Sequence, residues 1–242
     1  MVAVSALGAE EKRIRFAEVR ERLARRGLVM PAAPAEADDD APVREADALP
    51  SGFAALDGLL PGGFPRRAVT EIAGPAACGK TSLVVGALTA VTKARRFAAW
   101  IDPACEAYPP AFAQAGVELS RLLWVRAPAN ESLWAAEVLL QSGCFDVVVL
   151  DATPLAAPAR GAEMVARERR TVVLRAAAET HGVALVVLVE EVALFGAGAP
   201  AAVRLRVERR AGGIDVELQR SRYGGAGRHA TLAKDAARRG GQ

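Results

Sequence analysis

The sequence predicts an α/β fold: a mostly parallel, twisted sheet with helices on both faces, extended by a C-terminal antiparallel hairpin and preceded by an N-terminal helical arm. Three observations carry this reading. From Ser51 onward, short apolar runs alternate with segments of helical periodicity, the pattern of successive strand–helix–strand units. GPAACGKTS, Gly74 to Ser82, stands between one such strand and one such helix and fits the phosphate-binding pattern G-x-x-x-x-G-K-[ST]. FDVVVLD, Phe145 to Asp151, is an apolar run that ends in a carboxylate.

Taken in order, residues 10–27 (EEKRIRFAEVRERLARRG) place Phe16, Val19 and Leu23 on one helical stripe among charges, and Gly27 and Pro31 end the helix. This is an arm over residues 1–27, free to dock on its own domain or on a neighbouring subunit. The Ala, Pro and acidic content of residues 28–50 reads as a flexible linker. The core spans residues 51–228, with strands over 68–73, 97–101, 122–125, 147–150 and 184–189. Helices are expected near 80–93, 109–116, 130–142 and 161–181. Residues 203–208 and 214–219 flank Arg209-Arg210-Ala211-Gly212-Gly213 and read as the hairpin, and residues 229–242 as a basic tail.

Composition bounds the function classes. With 52% hydrophobic residues in 242, there is ample material for one large domain plus an arm. No apolar run approaches the ~20 residues of a membrane span, and the N-terminus lacks the apolar stretch of a signal peptide. The expectation is a cytoplasmic protein, nucleoid-associated when bound to DNA, with no membrane partner. Cys78, Cys105 and Cys144 are odd in number, and His181 and His229 are isolated, so neither a disulfide framework nor a zinc site is indicated. The net charge of +3 is unevenly spread: acids crowd residues 36–47 and Arg dominates 201–242. The basic end is either a footprint for a polyanion or the solvated surface of an Arg-rich protein.

The loop at 74–82 is specific. Only 4 residues of the chain are Lys, which holds the chance expectation for the full pattern to roughly 0.002 matches. One of those four, Lys80, stands where a compact ammonium on a flexible stem reaches the outer phosphates of a nucleotide. Gly74, Pro75, Ala76, Ala77, Cys78, Gly79, Lys80, Thr81 and Ser82 form the expected ATP cradle, with backbone N–H groups converging on phosphate at a helix N-terminus. The Thr81 hydroxyl would coordinate Mg²⁺, and Asp151 would orient water in the metal's coordination shell. Cys78 reads as a small buried apolar residue.

At this point the chain resembles a known family. LPSGFAALDGLLPGGFPRRAVTEIAGPAACGKTSLV (Leu49–Val84) is similar to the opening segment of the RecA recombinases, and the likeness runs on through WIDPACEAYPPAFAQAGVELSRLLWV, FDVVVLD, ALVVLVEE and AVRLRVERR. The resemblance implies a RecA-like core that binds ATP and Mg²⁺ between adjacent subunits, with homo-oligomers and single-stranded DNA as possible partners. Active members carry a catalytic Glu shortly after the second strand. Here the matching position is Ala104, and Glu106, two residues on, is the candidate substitute. Glu190 and Glu191 fall where the family senses the γ-phosphate. Arg220 and Arg222 line up with basic residues that reach a neighbour's nucleotide, unless they are simply the outward face of a terminal strand. The family's two DNA loops are much reduced, leaving Arg160, Arg167, Arg169 and Arg170 as candidate phosphate contacts, and Phe195, Trp134 and Tyr223 as candidate stacking platforms, with core packing favoured for Trp134.

The helical arm, short loops, displaced Glu and basic tail together resemble the ImuA type of RecA-related accessory proteins. That likeness implies an adaptor in SOS-associated translesion synthesis, with an ImuB-like Y-family polymerase homologue and RecA as partners. A DNA-dependent ATPase forming filaments, and a non-enzymatic regulatory protein, are the other readings the residues leave open. Catalysis would rest on Lys80 and Glu106.

Overall fold

A computed structural model describes residues 7–29, 48–155, 162–190, 194–195 and 201–233, with the side chains of 162 and 163 outside that description. Arg160, Glu191 and the tail beyond 233 therefore lie outside the described residues. So do residues 30–47 of the linker.

Eight strands form one sheet. In chain order they are β3 (Ala68–Ala73), β4 (Phe97–Ile101), β5 (Leu122–Val125), β6 (Phe145–Asp151), β7 (Ala184–Val189), β8 (Val203–Arg210), β9 (Gly213–Ser221) and β10 (His229–Ala233). A separate antiparallel pair, β1 (Ala48–Leu49) and β2 (Phe64–Pro65), leads into β3. The spatial order is β10-β9-β8-β3-β7-β6-β4-β5, with β8 through β5 parallel and β9 and β10 added antiparallel at one edge. Parallel neighbours need long crossovers, and helices supply them. These are α3 (Lys80–Lys93), α4 (Pro109–Gln114), α5 (Ala129–Ser142) and α6 (Ala162–His181), with α1 (Ala9–Ala24) and α2 (Ala54–Leu59) ahead of the sheet.

The central strands are continuous apolar runs because both faces are covered. Val148 and Leu150 of β6 face the cluster containing α1, α5 and α6, whereas Val147 and Val149 face the one containing α2, α3 and α4. β7 splits the same way, with Leu185, Val187 and Val189 on one face and Ala184, Val186 and Leu188 on the other. A one-residue register slip would exchange the two faces.

The arm docks on its own domain. Val19 and Leu23 are buried, and Phe16 stacks on Phe97 with ring centroids 4.1 Å apart. Past the helix, the Leu28 carbonyl accepts the Arg126 N–H (2.6 Å) and Val29 bridges antiparallel to Val125, so the arm covers the exposed edge of β5. Arg26 lies over Trp134, 4.1 Å from the ring centroid, and pairs with Glu131 at 3.6 Å.

Two boundaries differ from the sequence reading. The tail expected from residue 229 begins instead with β10, whose five residues pair with β9 from Gly213 to Glu217. Leu49, placed in the linker, is buried in the β1–β2 pair. Each is a short edge element with a single buried side chain, Leu232 or Leu49, too little to stand out as a period. At the end of the sheet away from the strands' C-termini, Asp146 is buried between Arg66 (2.7 Å) and Arg96 (3.3 Å), joining the β2–β3 turn to β6. Among the described residues, no helix is long and apolar enough to cross a membrane.

Candidate functional site

The loop after β3 is held by contacts within the protein itself. The Gly74 N–H donates to the carbonyls of Val189 (3.2 Å) and Glu190 (2.6 Å), anchoring the loop to the end of β7. A Cβ on Gly74 would lie 2.4 Å from the Val207 carbonyl oxygen, so no other residue fits. Ala77 has φ 56° and Gly79 φ 107°, left-handed conformations that curl the backbone. α3 then starts at Lys80 with no side chain capping it, which leaves its first N–H groups pointing out of the helix end. Lys80 is 8% exposed, and its ammonium donates to the loop carbonyls of Gly74 and Pro75. Thr81 and Ser82 are exposed beside it, and Cys78 is buried, as an apolar residue would be. A glycine seat, an uncapped helix end and an ammonium held on neutral carbonyls suit a phosphorylated anion.

The acidic candidates gather on the same edge. β6 lies between β4 and β7, and β7 beside β3, so the parallel strands deliver Asp102, Asp151, Glu190 and Gly74 to one end of the sheet. Asp151 is half-buried, with one carboxylate oxygen accepting the Thr153 N–H at 3.1 Å. Asp102, 1% exposed, accepts the N–H groups of Glu106 (3.1 Å) and Ala107 (3.2 Å) and so folds residues 103–106 over itself. Ala104 and Glu106 are both exposed on that turn, and the Glu106 carboxylate makes no hydrogen bond to another described residue. A groove of about 660 Å³ runs along α3 from Thr81 and Ser82 past Val85 to Phe112 and Ser51.

Behind the loop sits a charge that the sequence did not single out. Glu71 of β3 is 1% exposed, pairs with Arg204 at 2.8 Å, and accepts the N–H groups of Leu194 (2.7 Å) and Phe195 (2.9 Å). Burial raises its pKa above the ordinary 4.5, with the N–H donors and Arg204 opposing. The same carboxylate thus ties the strand that feeds the phosphate loop to the segment after β7. From the other side, Arg209 of β8 donates through Nε to the Ala77 carbonyl at 2.9 Å. Neither contact follows from local pattern, because both depend on β3 and β8 being neighbours.

The remaining candidates are dispersed. Arg220 on β9 and Arg222 just past its end are exposed, at the end of the sheet away from the chain's own phosphate loop, since Arg220 lies opposite Arg204 and Ser221 opposite Val203. Arg222 reaches the Tyr223 hydroxyl (3.1 Å) and Glu179 of α6 (3.4 Å), which raise its pKa against the opposing effect of burial. Arg167, Arg169 and Arg170 lie on the first half of α6, and Arg170 pairs with Glu137 at 3.1 Å. Of the stacking candidates, Phe195 is buried in the core because the Glu71 carboxylate holds its backbone there, and so offers no ring to a base. Trp134 is half-buried under Arg26, and Tyr223 alone is well exposed.

Comparison with known proteins agrees with this geometry. The family model for the RecA N-terminal domain matches residues 35–175. Protein RecA of Lactobacillus delbrueckii subsp. bulgaricus is 40% identical over 113 residues, covering 46% of this chain and 34% of that one. Protein RecA of Chlorobaculum parvum is 39% identical over 123 residues, covering 50% of this chain and 35% of the relative. The chain spans about a third of the length of these curated relatives. Among solved structures, that of the RadB recombinase superposes with a TM-score of 0.66 at 23% identity, covering 78% of this chain and 97% of the other, a likeness of fold. With the matched segment running from ahead of β1 into α6 and the phosphate loop in its place, the chain belongs to the RecA family.

Proposed function

We propose that this protein is an ATP-binding accessory protein of the ImuA type, which holds nucleotide as a conformational ligand, turns it over slowly, and acts as an adaptor in SOS-induced translesion DNA synthesis. The observation that carries the reading is the pairing of a complete phosphate loop with Ala104 at the place of the catalytic Glu. Residues 74–82 would hold ATP, with Lys80 leaving the Gly74 and Pro75 carbonyls for the outer phosphates. The groove beside Thr81 and Ser82 would take the nucleoside. Thr81 would coordinate Mg²⁺ and Asp151 would orient water in its coordination shell, the ion supplying charge neutralisation at the phosphates when bound.

An attacking water needs a base within about 3 Å, and Ala104 offers none. Glu106 is held on the turn over Asp102 by its own N–H, with its carboxylate directed by no other described residue. General-base catalysis depends on such orientation, so the turn supports binding better than hydrolysis. Arg220 and Arg222, remote from the chain's own loop, would serve a neighbouring copy's phosphates rather than their own. Arg160, Arg167, Arg169 and Arg170 would contribute weak, salt-sensitive contacts to single-stranded DNA. The proposed partners are an ImuB-like Y-family polymerase homologue and RecA, and the proposed location is the cytoplasm.

Titration calorimetry with Mg·ATP tests the nucleotide reading. Wild type is expected to bind in the micromolar range and Lys80→Ala at least about 30-fold more weakly, in line with the loss of a charged hydrogen-bond donor. Equal affinity in the two proteins, or none in wild type, would refute the reading.

A second reading, a DNA-dependent ATPase, draws on one observation: Glu106 is exposed at the catalytic edge of the sheet and could be reoriented by a neighbouring subunit.

A further inference from the structure

The hairpin formed by β8 and β9 lies along the phosphate loop and touches it at three points. The Val207 carbonyl closes on Gly74 at the loop's start, where an added Cβ would come within 2.4 Å of it. Ile214 closes on Gly79 at the loop's end, its Cδ1 2.4 Å from where a Cβ would stand. Between them, Arg209 donates through Nε to the carbonyl of Ala77 at 2.9 Å. The neighbouring arginines are engaged with carboxylates: Arg206 with Glu208 at 3.1 Å, and Arg210 with Glu208 and Asp215, each at 3.1 Å. Arg209 instead directs its charge at a neutral carbonyl of the loop.

That carbonyl belongs to Ala77, the one non-glycine residue of the loop with positive φ, 56°. An L-residue leaves that conformation readily unless something holds it. A trans peptide sets its C=O and the next N–H on opposite sides, so a carbonyl turned toward Arg209 aims the Cys78 N–H away from the hairpin. In a curled loop of this type, such N–H groups are the ones that meet phosphate oxygens.

We propose that Arg209 is a positioning residue for the phosphate loop: by holding the Ala77 carbonyl it keeps Ala77 left-handed and the Cys78 N–H directed at bound phosphate, so the β8–β9 hairpin sets the affinity of the site. This rests on the reading of residues 74–82 as a nucleotide cradle. It makes the hairpin, rather than the loop alone, the element through which anything docking on the sheet's β10 edge alters nucleotide binding.

The test compares wild type, Arg209→Ala, and Arg209→Ala combined with Ala77→Gly, by calorimetry with Mg·ADP and Mg·ATP and by amide hydrogen exchange of the nucleotide-free proteins. Arg209→Ala should weaken both nucleotides about tenfold and speed exchange at Cys78 and Gly79. Glycine adopts positive φ without strain, so Ala77→Gly should restore most of the lost affinity. Arg206→Ala, which removes an equal charge nearby, should stay within about twofold of wild type. Arg209→Ala binding like wild type would overturn the proposal. So would a double variant no better than Arg209→Ala, because the effect would then be one of charge at the site rather than loop geometry. Should wild type bind no nucleotide, the cradle reading fails by itself, and exchange still decides the rest: faster exchange at Cys78 and Gly79 in Arg209→Ala upholds the hold on Ala77, and unchanged exchange removes it.

Discussion

Glu71 shows what a single buried charge does for the site. It sits two residues before the end of β3 with Arg204 and two backbone N–H groups as partners, and removing it would strand the two N–H groups and take one partner from Arg204. Glu71→Ala should therefore cost about 3 kcal/mol of unfolding free energy in urea titrations, near the lower figure for breaking a buried pair because Arg204 keeps some exposure. The pH dependence has a defined sign. Burial raises the native pKa above 4.5, so the native state keeps its proton to higher pH than the unfolded chain. The proton-linked part of its contribution is thus fully present below pH 4.5 and is lost as pH rises through the raised native value. The advantage of wild type over Glu71→Gln should shrink over that interval, and a difference independent of pH would contradict it. Lys80 and Asp151 were legible from the sequence because their motifs are local. Glu71 and Arg209 were not, since their partners lie more than 100 residues away in the chain.

Elements differ in how plainly the sequence shows them, for a physical reason. β3, α3 and β7 stand in the sequence as drawn in the structure, because strands buried on both faces are uninterrupted apolar runs and α3 buries Leu83, Val84, Ala87, Leu88 and Val91 at helical spacing. α2 has six residues with an internal Gly58, and β10 buries Leu232 alone, so neither carries a period. The arm was legible as an amphipathic helix, but its docking site was not, because a helix stripe does not name the surface it covers. Leu23 of that arm is fully buried against the domain, and Leu23→Ala should cost about 3 kcal/mol and raise amide exchange across α1 more than in β6. His181, at the end of α6, reports the same docking. Burial and the Arg15 charge lower its pKa below 6.5, so the stability contributed by its neutral form is present above pH 6.5 and lost as pH falls below it. Arg15→Gln should move the His181 titration, followed by NMR, back toward 6.5. No movement would show that Arg15 does not face it.

For the whole molecule, the RecA family fold supplies an edge of strand ends on which phosphate loop and carboxylates meet, and the family is shared by proteins about three times the length matched here. In the proposed function, hydrolysis is limited at that edge by Ala104 and Glu106, which are exposed on a turn organised by Asp102. Nucleotide, in that proposed function, is held and scarcely turned over. Steady-state ATP hydrolysis at saturating Mg·ATP and single-stranded DNA, for wild type and Glu106→Ala, tests it directly. Turnover is expected below about one per minute in both proteins, well under the ordinary enzymatic range. Turnover of several per second in wild type, abolished in Glu106→Ala, would contradict it.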